Sequence, residues 1–348
     1  MLEINGKLLK IGTKVLKGPA VDPLNPLGLP PFTLRLKFVD TYDPTSRSGK
    51  WRQVSSTPNV WDWTKENSNW DRSFQNESYL IEVLGGNTIG VTVMSDIFGG
   101  CNNLRTINIF DTHNITSTYE MFAGCTSLTS VPLFDTGNVT GMVKMFWNCT
   151  SLTSVPLFDT RNATDLNTML WNCSSLTSVP LFNTSKVVNM GGMLSGCSSL
   201  TSVPLFDTSK VTTMYASFAR GMFNGCSSLT TVPLFDTSKV SDFRQLFSGC
   251  SSLTTVPLFD TSKASSLDSM FSGCTSLTNI PLFDTKLVLN MDNAFNGCTN
   301  VQSGALALYQ QASSQSFPPT NHSQTFRNCG SNTTTGAAEL SQIPSDWK

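Results

Sequence analysis

The sequence is short of charge. Of 348 residues only 14% are Asp, Glu, Lys or Arg, and 23 Lys+Arg nearly cancel 24 Asp+Glu. Without a basic excess there is nothing to neutralise a phosphate backbone, so nucleic acid is excluded as a partner. Histidine is scarcer still, at two residues, His113 and His322. No Ser-His-Asp set, phosphate loop or carboxylate pair stands apart from the rest of the chain, so no catalytic residue and no cofactor is assigned. No apolar run reaches the ~18 residues that a spanning helix needs, so no membrane insertion is expected. The opening stretch Met1–Lys17 has no uninterrupted apolar core and no small-residue cleavage site, and does not read as a secretory signal.

What is abundant is repetition. The ten cysteines fall at 101, 125, 149, 173, 197, 226, 250, 274, 298 and 329, and most intervals are 24 residues. Such regularity marks a repeating unit, not a disulfide framework or a ligand set. Eight units run from Cys101 to about Gly297, and a divergent ninth begins at Cys298. A 24-residue period lies in the leucine-rich-repeat range, in which each unit supplies a strand and a return. Within one unit, Leu128, Val131 and Leu133 have strand-like spacing, while Val139, Met142, Met145 and Phe146 share one face of a helix. Asp135 and Thr136 are placed to cap that helix. The expected fold is therefore an α/β repeat solenoid of parallel strands with helical returns, behind a small N-terminal domain with β character. Pro132, Pro156, Pro180, Pro204, Pro233, Pro257 and Pro281 conflict with a long strand, so the paired segment must be short and lie before each proline.

Four segments are expected. Residues 1–40 form an extended, Pro-rich arm suited to docking, ending in the alternating strand Phe32–Phe38. Residues 41–85 form a Trp-rich domain, 86–297 the solenoid and 298–348 a cap with a helix near Ala305–Ala312. The cysteines read as buried thiols with no metal site, because no second ligand lies at zinc-like spacing. The Asp column from Asp111 to Asp284 reads as capping residues, its repulsion offset by Lys186, Lys210, Lys239 and Lys263. Three candidate binding surfaces remain. One is a hydroxyl stripe on the sheet face, Ser130, Ser154, Ser178, Ser202, Thr231 and Thr255. Another is the five-residue insertion of the fifth unit, where Phe218 and Arg220 are the exposed contacts, because inserts in solenoids project from one face. The last is the aromatic cluster Trp61, Trp63 and Trp70, whose alternative reading is a domain core.

The phrase Met-Phe-x-Gly-Cys-Thr-Ser-Leu, joined to Phe-Asp-Thr-Ser-Lys-Val, resembles the BspA-like leucine-rich-repeat surface proteins over about Gly86 to Gly297. The stretch from Ser56 to Gly86 is similar to the leader of such repeats in gut Bacteroidetes and their phages. The resemblance implies extracellular adhesion without an active site. With no export signal in view, the leading expectation is a phage virion protein. It would dock onto other virion proteins through the N-terminal arm and present the solenoid to a host surface protein or glycan. The alternative is a bacterial cell-surface adhesin, and a third reading is an intracellular interaction scaffold. A homo-oligomer is compatible with the sequence, which does not fix the oligomeric state.

Overall fold

The computed structural model describes residues 3–4, 7–8, 25, 27–39, 42–54, 59–65, 67–218 and 220–348. Most of the expected docking arm lies outside the described residues. Near the start, β1 (Glu3–Ile4) pairs with β2 (Lys7–Leu8) as a short antiparallel ladder. The alternation of Phe32–Phe38 does form a strand, β3 (Thr33–Phe38), with Leu34, Leu36 and Phe38 fully buried. It sits at the centre of a sheet with β4 (Lys50–Gln53), β5 (Val60–Thr64), β6 (Leu80–Asn87) and β7 (Thr106–Ile107), in the order β4-β5-β3-β6-β7. The β6–β7 pairing is parallel, and it joins this sheet to the first coil of the rod.

The rod is a solenoid of stacked coils. Isolated parallel bridges link Val93 to Ser117, and so on through Gly141, Asp165 and Asn189 to Thr213, in steps of 24 residues. The same column reaches back to Asn69, so rod and N-terminal module share one core. At about 4.8 Å per coil, eight coils give a rod roughly 40 Å long.

The return segment is not helical. Among the described residues the α-helices are α1 (Ala305–Ser313) and α2 (Thr334–Gln342), both in the cap. The apolar residues expected on a helix face, Val139, Met142, Met145 and Phe146, are all fully buried, but on a run of tight turns. There the N–H groups donate alternately to the carbonyl three residues back and to the next coil. Met145 donates to Met142 (3.3 Å) and Cys149 to Phe146 (3.1 Å), whereas Met142 reaches Asp165 (2.9 Å) and Phe146 reaches Met169 (2.9 Å). The turns require left-handed backbone at two places per coil, such as Lys144 (φ 55°) and Asn148 (φ 60°). A continuing α-helix has no such residue. The position before each cysteine is filled only by Gly or Asn, the residues that reach positive φ at least cost.

The strand segment is equally irregular. One or two backbone bonds per coil, such as Thr153 to Thr129 (3.1 Å), lie ahead of the proline, as its missing donor demands. After it, Phe158 donates to the Pro156 carbonyl two residues back (2.9 Å). This tight turn shifts the phase of the alternation: Val155 and Phe158 both point inward and Leu157 points out. Leu133, which strict alternation would put on the same face as Val131, is thus on the surface. The following Asp135 and Thr136 cap no helix. Asp135 accepts from the Gly137 N–H (3.0 Å) in an Asx-turn, and the buried Thr136 hydroxyl donates to the Asp159 carbonyl of the next coil (2.9 Å).

Inside the rod, phenylalanines stack in files. Phe98, Phe122 and Phe146 have centroids 5.6 and 5.7 Å apart, and the file resumes from Phe223 through Phe247, Phe271 and Phe295 to Phe326. The ten cysteines are free and buried, and each Sγ from Cys101 to Cys298 donates to a backbone carbonyl of the preceding coil, as Cys125 does to Phe98 (3.1 Å). The cap closes the file with Trp347, whose carbonyl accepts from Phe326 (2.9 Å).

Burial pushes the thiols up, to about 12 at Cys101, Cys197 and Cys329. The unfolded chain ionises its thiols near pH ~8.5. Stability is therefore intact below that pH and falls as pH rises toward 12, by about 1.4 kcal/mol per pH unit for each thiol. Urea melts between pH 7.5 and 10.5 check the slope, and iodoacetamide at pH 8 should label the cysteines only after unfolding. Gly273, at φ +76°, supplies a second test. Gly273→Ala should destabilise by about 1–2 kcal/mol through backbone strain, and Gly273→Asn by less, measured by urea titration.

Candidate functional site

Two surfaces of the rod stand out. On the first, the ladder face, the predicted hydroxyl stripe of Ser130, Ser154, Ser178, Ser202, Thr231 and Thr255 is exposed along its whole length. Three residues further on in every coil lies a leucine pushed outward by the turn at the proline. Leu133, Leu157, Leu181, Leu205, Leu234, Leu258 and Leu282 form one column and are each 53–60% exposed. The Asp column runs beside it. The hydroxyl of Ser209 beside Asp207, and of Ser238 beside Asp236, holds each carboxyl below its ordinary range. The positive charges of Lys210, Lys239 and Lys263 also favour the ionised form of Asp207, Asp236 and Asp260, so these lysines offset the column's repulsion as expected, without forming ion pairs with it. Lys239 Nζ reaches the Ser209 carbonyl (2.7 Å) and Lys186 Nζ the Asn162 side chain (2.8 Å), so they tie adjacent coils together.

The second is the turn face. Here one outward slot per coil, the residue two before each cysteine or before Glu77 in the coil ahead of Cys101, reads Gln75, Gly99, Ala123, Trp147, Trp171, Ser195 and Asn224 in successive coils. Trp147 and Trp171 stack on each other with centroids 4.9 Å apart and planes within 8°. The insertion forms the hairpin β8 (Tyr215–Ala216) and β9 (Arg220–Gly221). It leans back along the rod, because the Phe218 ring lies 5.2 Å from Lys144 Nζ. Arg244 stacks on Tyr215 at its base (4.1 Å). Phe218 and Arg220, both singled out by sequence, are exposed and come together with Trp171, Ser195, Gly196 and Asn224 around a cleft of about 260 Å³. A second cleft of about 240 Å³ lies on the other side of the tryptophan pair, lined by Gln75, Asp96, Glu120, Ala123, Lys144 and Trp147 among others. In it, Gln75 donates to Asp96, and Lys144 Nζ pairs with Glu120 (2.8 Å). The sequence reading passed over Trp147 and Trp171. The available signal was that only two units place tryptophan in a slot otherwise filled by small or polar residues.

The predicted aromatic cluster is not a surface. Trp63 and Trp70 are fully buried, packed edge to face (5.0 Å) with Phe74 at 4.7 Å from Trp63, and their indole N–H groups donate to the Ser48 and Lys65 carbonyls. They are the core of the N-terminal module, because β3 and β5 turn the same face inward. Trp61 is half-buried against that core. Among the described residues no three His, Cys, Asp or Glu side chains converge on a point where a metal could sit.

Burial, and next the negative charge of Glu120, push the Asp96 carboxyl up to about 6. A carboxyl raised in the folded state stabilises below its unfolded value near ~3.9 and loses that contribution as pH climbs through 6. Asp96→Asn, which can still accept from Gln75, should raise stability at pH 7.5 by at most about 3 kcal/mol. Paired thermal melts at pH 7.5 and pH 4 check this, with the gain vanishing at the lower pH.

Comparison with known proteins gives one family and several structural likenesses. No curated protein matches the sequence. Among solved structures, the chain is similar to a leucine-rich cell surface protein of Faecalibacterium prausnitzii A2-165 (16% identity, 79% of each chain, TM-score 0.36). It is also similar to a leucine-rich repeat protein of T. pallidum (16%, 68% of this chain and 91% of that one, TM-score 0.34) and to one of Eubacterium ventriosum (14%, 78% and 88%, TM-score 0.35). The model of a family described as Mycoplasma protein of unknown function, DUF285, matches three overlapping stretches, residues 68–179, 153–232 and 219–333. That span takes in the turn ladder, the leucine column and the tryptophan pair, and the chain belongs to the DUF285 family.

Proposed function

We propose that the chain is a non-enzymatic binding protein of the bacterial cell surface that holds an extracellular protein partner along its ladder face. The leucine column carries this reading. Seven leucines, each more than half exposed, present on the order of 700 Å² of contiguous apolar surface. A soluble monomer usually leaves a few hundred Å² bare in one patch, and one side of a standard interface covers about 800 Å². The ridge is edged by the hydroxyl stripe on one side and by the Asp column on the other, which gives it the arrangement of an interface: apolar centre, polar hydrogen-bonding rim. The partner that fits is an elongated protein surface with an apolar strip. A virion protein could use the same ridge, as the sequence first suggested, but the matched family is described from Mycoplasma, a bacterium and not a phage, which supports the bacterial surface.

The triple variant Leu157→Ser, Leu181→Ser, Leu205→Ser should keep its circular dichroism and melting temperature, because these side chains are outside the core. Its binding to immobilised extracellular-matrix proteins, followed by surface plasmon resonance beside the parent chain, should weaken at least tenfold. Undiminished binding would refute the ridge. Surface biotinylation of the producing cells, compared with mass spectrometry of purified virions, decides the location.

A further inference from the structure

We propose that the Trp147–Trp171 pair, with the cleft on either side of it, binds an uncharged oligosaccharide built of sugars with equatorial hydroxyls. The site is separate from the leucine ridge and rests on different observations. Two indoles that stack face to face, 4.9 Å apart and nearly parallel, cover one face of each other and leave the outer faces free. What lies against those outer faces is decided by the neighbouring coils. On the Trp147 side the slot holds Ala123 and then Gly99, and on the Trp171 side Ser195 and then Asn224. Small side chains beside large ones leave two recesses, and the two clefts are found there, the first walled by Trp147 and the second by Trp171.

Each recess therefore pairs one free indole face with a rim of hydrogen-bonding groups. Gln75, Asn76, Asp96 and Glu120 surround the first, and Ser195, Asn224 and Arg220 the second. A pyranose with equatorial hydroxyls has the matching form, since its C–H groups make a flat apolar face and its hydroxyls radiate around the edge. A flat aromatic ligand would use the indoles but add no hydrogen bond to the polar rim, whereas a sugar's hydroxyls can use the remaining acceptor and donor capacity there. An ionic ligand is disfavoured in the first cleft, where Lys144 is already paired with Glu120 and Arg72 faces Asp96. Between the coils, Asn172 Nδ2 donates to Asn148 Oδ1 (2.6 Å), a bond that fixes the backbone beneath the two indoles. Phe218, held near Lys144, overhangs this stretch from the hairpin.

The geometry also sets ligand length. Sugars stacked on the two outer faces would be about 13 Å apart, the observed 4.9 Å plus two van der Waals contacts of about 4 Å. One pyranose cannot stack on both outer faces, so each cleft takes its own sugar, and a chain that reaches both must be long enough to pass around the indole edges. Engagement of both clefts makes the second contact intramolecular, so chain length should matter strongly.

The test is isothermal titration and tryptophan fluorescence of the full chain with cellohexaose, laminarihexaose, N-acetylchitohexaose and glucose. At least one hexaose should bind, at least tenfold more tightly than glucose, with a change in tryptophan emission. Trp171→Ala should weaken that binding at least tenfold. Ala123→Trp, which fills the first cleft without removing any residue of the pair, should do the same, and this second variant guards against loss by misfolding. The leucine triple variant should bind the hexaose normally, so failure of one reading leaves the other standing. Absence of binding by every hexaose at millimolar concentration, or binding unchanged in both tryptophan-site variants, would overturn the proposal. So would binding restricted to acidic glycans and abolished by Arg220→Ala alone.

Discussion

The rod depends on one repeated device: a tight turn before each cysteine whose N–H groups point along the rod and donate to the next coil. Phe146 and Asn148 donate to Met169 and Trp171, and equivalent bonds pass from Phe74 in the N-terminal module to Trp347 in the cap. Because alternate residues are committed to the next coil, the side chains between them must alternate in direction. Phe146 goes inward to its file, Trp147 goes outward, and Cys149 turns in again. The left-handed residue at Asn148 makes this reversal sterically feasible, and the Gly or Asn in every coil at that slot is its sequence requirement. The outward slot is thereby stacked in register from coil to coil. Only such registration brings two tryptophans 24 residues apart in sequence to 4.9 Å in space.

How far the fold was legible follows from the same device. The period and the inward residues could be read directly, since Val139, Met142, Met145 and Phe146 are buried as their spacing requires. The conformation could not, because a spacing of three or four residues is common to a helix and to a run of turns closed by bonds to the third residue back. The deciding signal was the unbroken series of Gly and Asn ahead of the cysteines, which a helix interior would disfavour at each occurrence. The outward leucine column was not legible for a related reason. Strict alternation from Val131 puts Leu133 inside, but the proline between them starts a turn that advances the phase by one residue. The hydroxyl stripe precedes that turn and was placed correctly on the surface. In the N-terminal module the tryptophans gave no positional signal. Trp61 and Trp63 sit on one face of β5, yet Trp63 is fully buried and Trp61 only half, a difference of position in the sheet that no local pattern records.

A rod of near-identical coils has a problem of register that its surface features must solve. A partner lying along seven equivalent leucines can slide by one coil and lose little more than one leucine contact at the end, much as a uniform strand pair can slip. Repetition supplies strength along the ladder face, but it cannot fix where a partner begins. Position must come from features that occur once, and the chain gathers several of them. The only coils with tryptophan in the outward slot, the coil with Asn183 in place of Asp, and the hairpin carrying Phe218 and Arg220 all fall between Trp147 and Gly221. The hairpin breaks the 24-residue period, and leaning toward Lys144 it obstructs the turn face at one place only. On the proposed reading, the repeated ridge and the singular middle would divide the work of binding: extent of contact from the first, and a fixed address from the second.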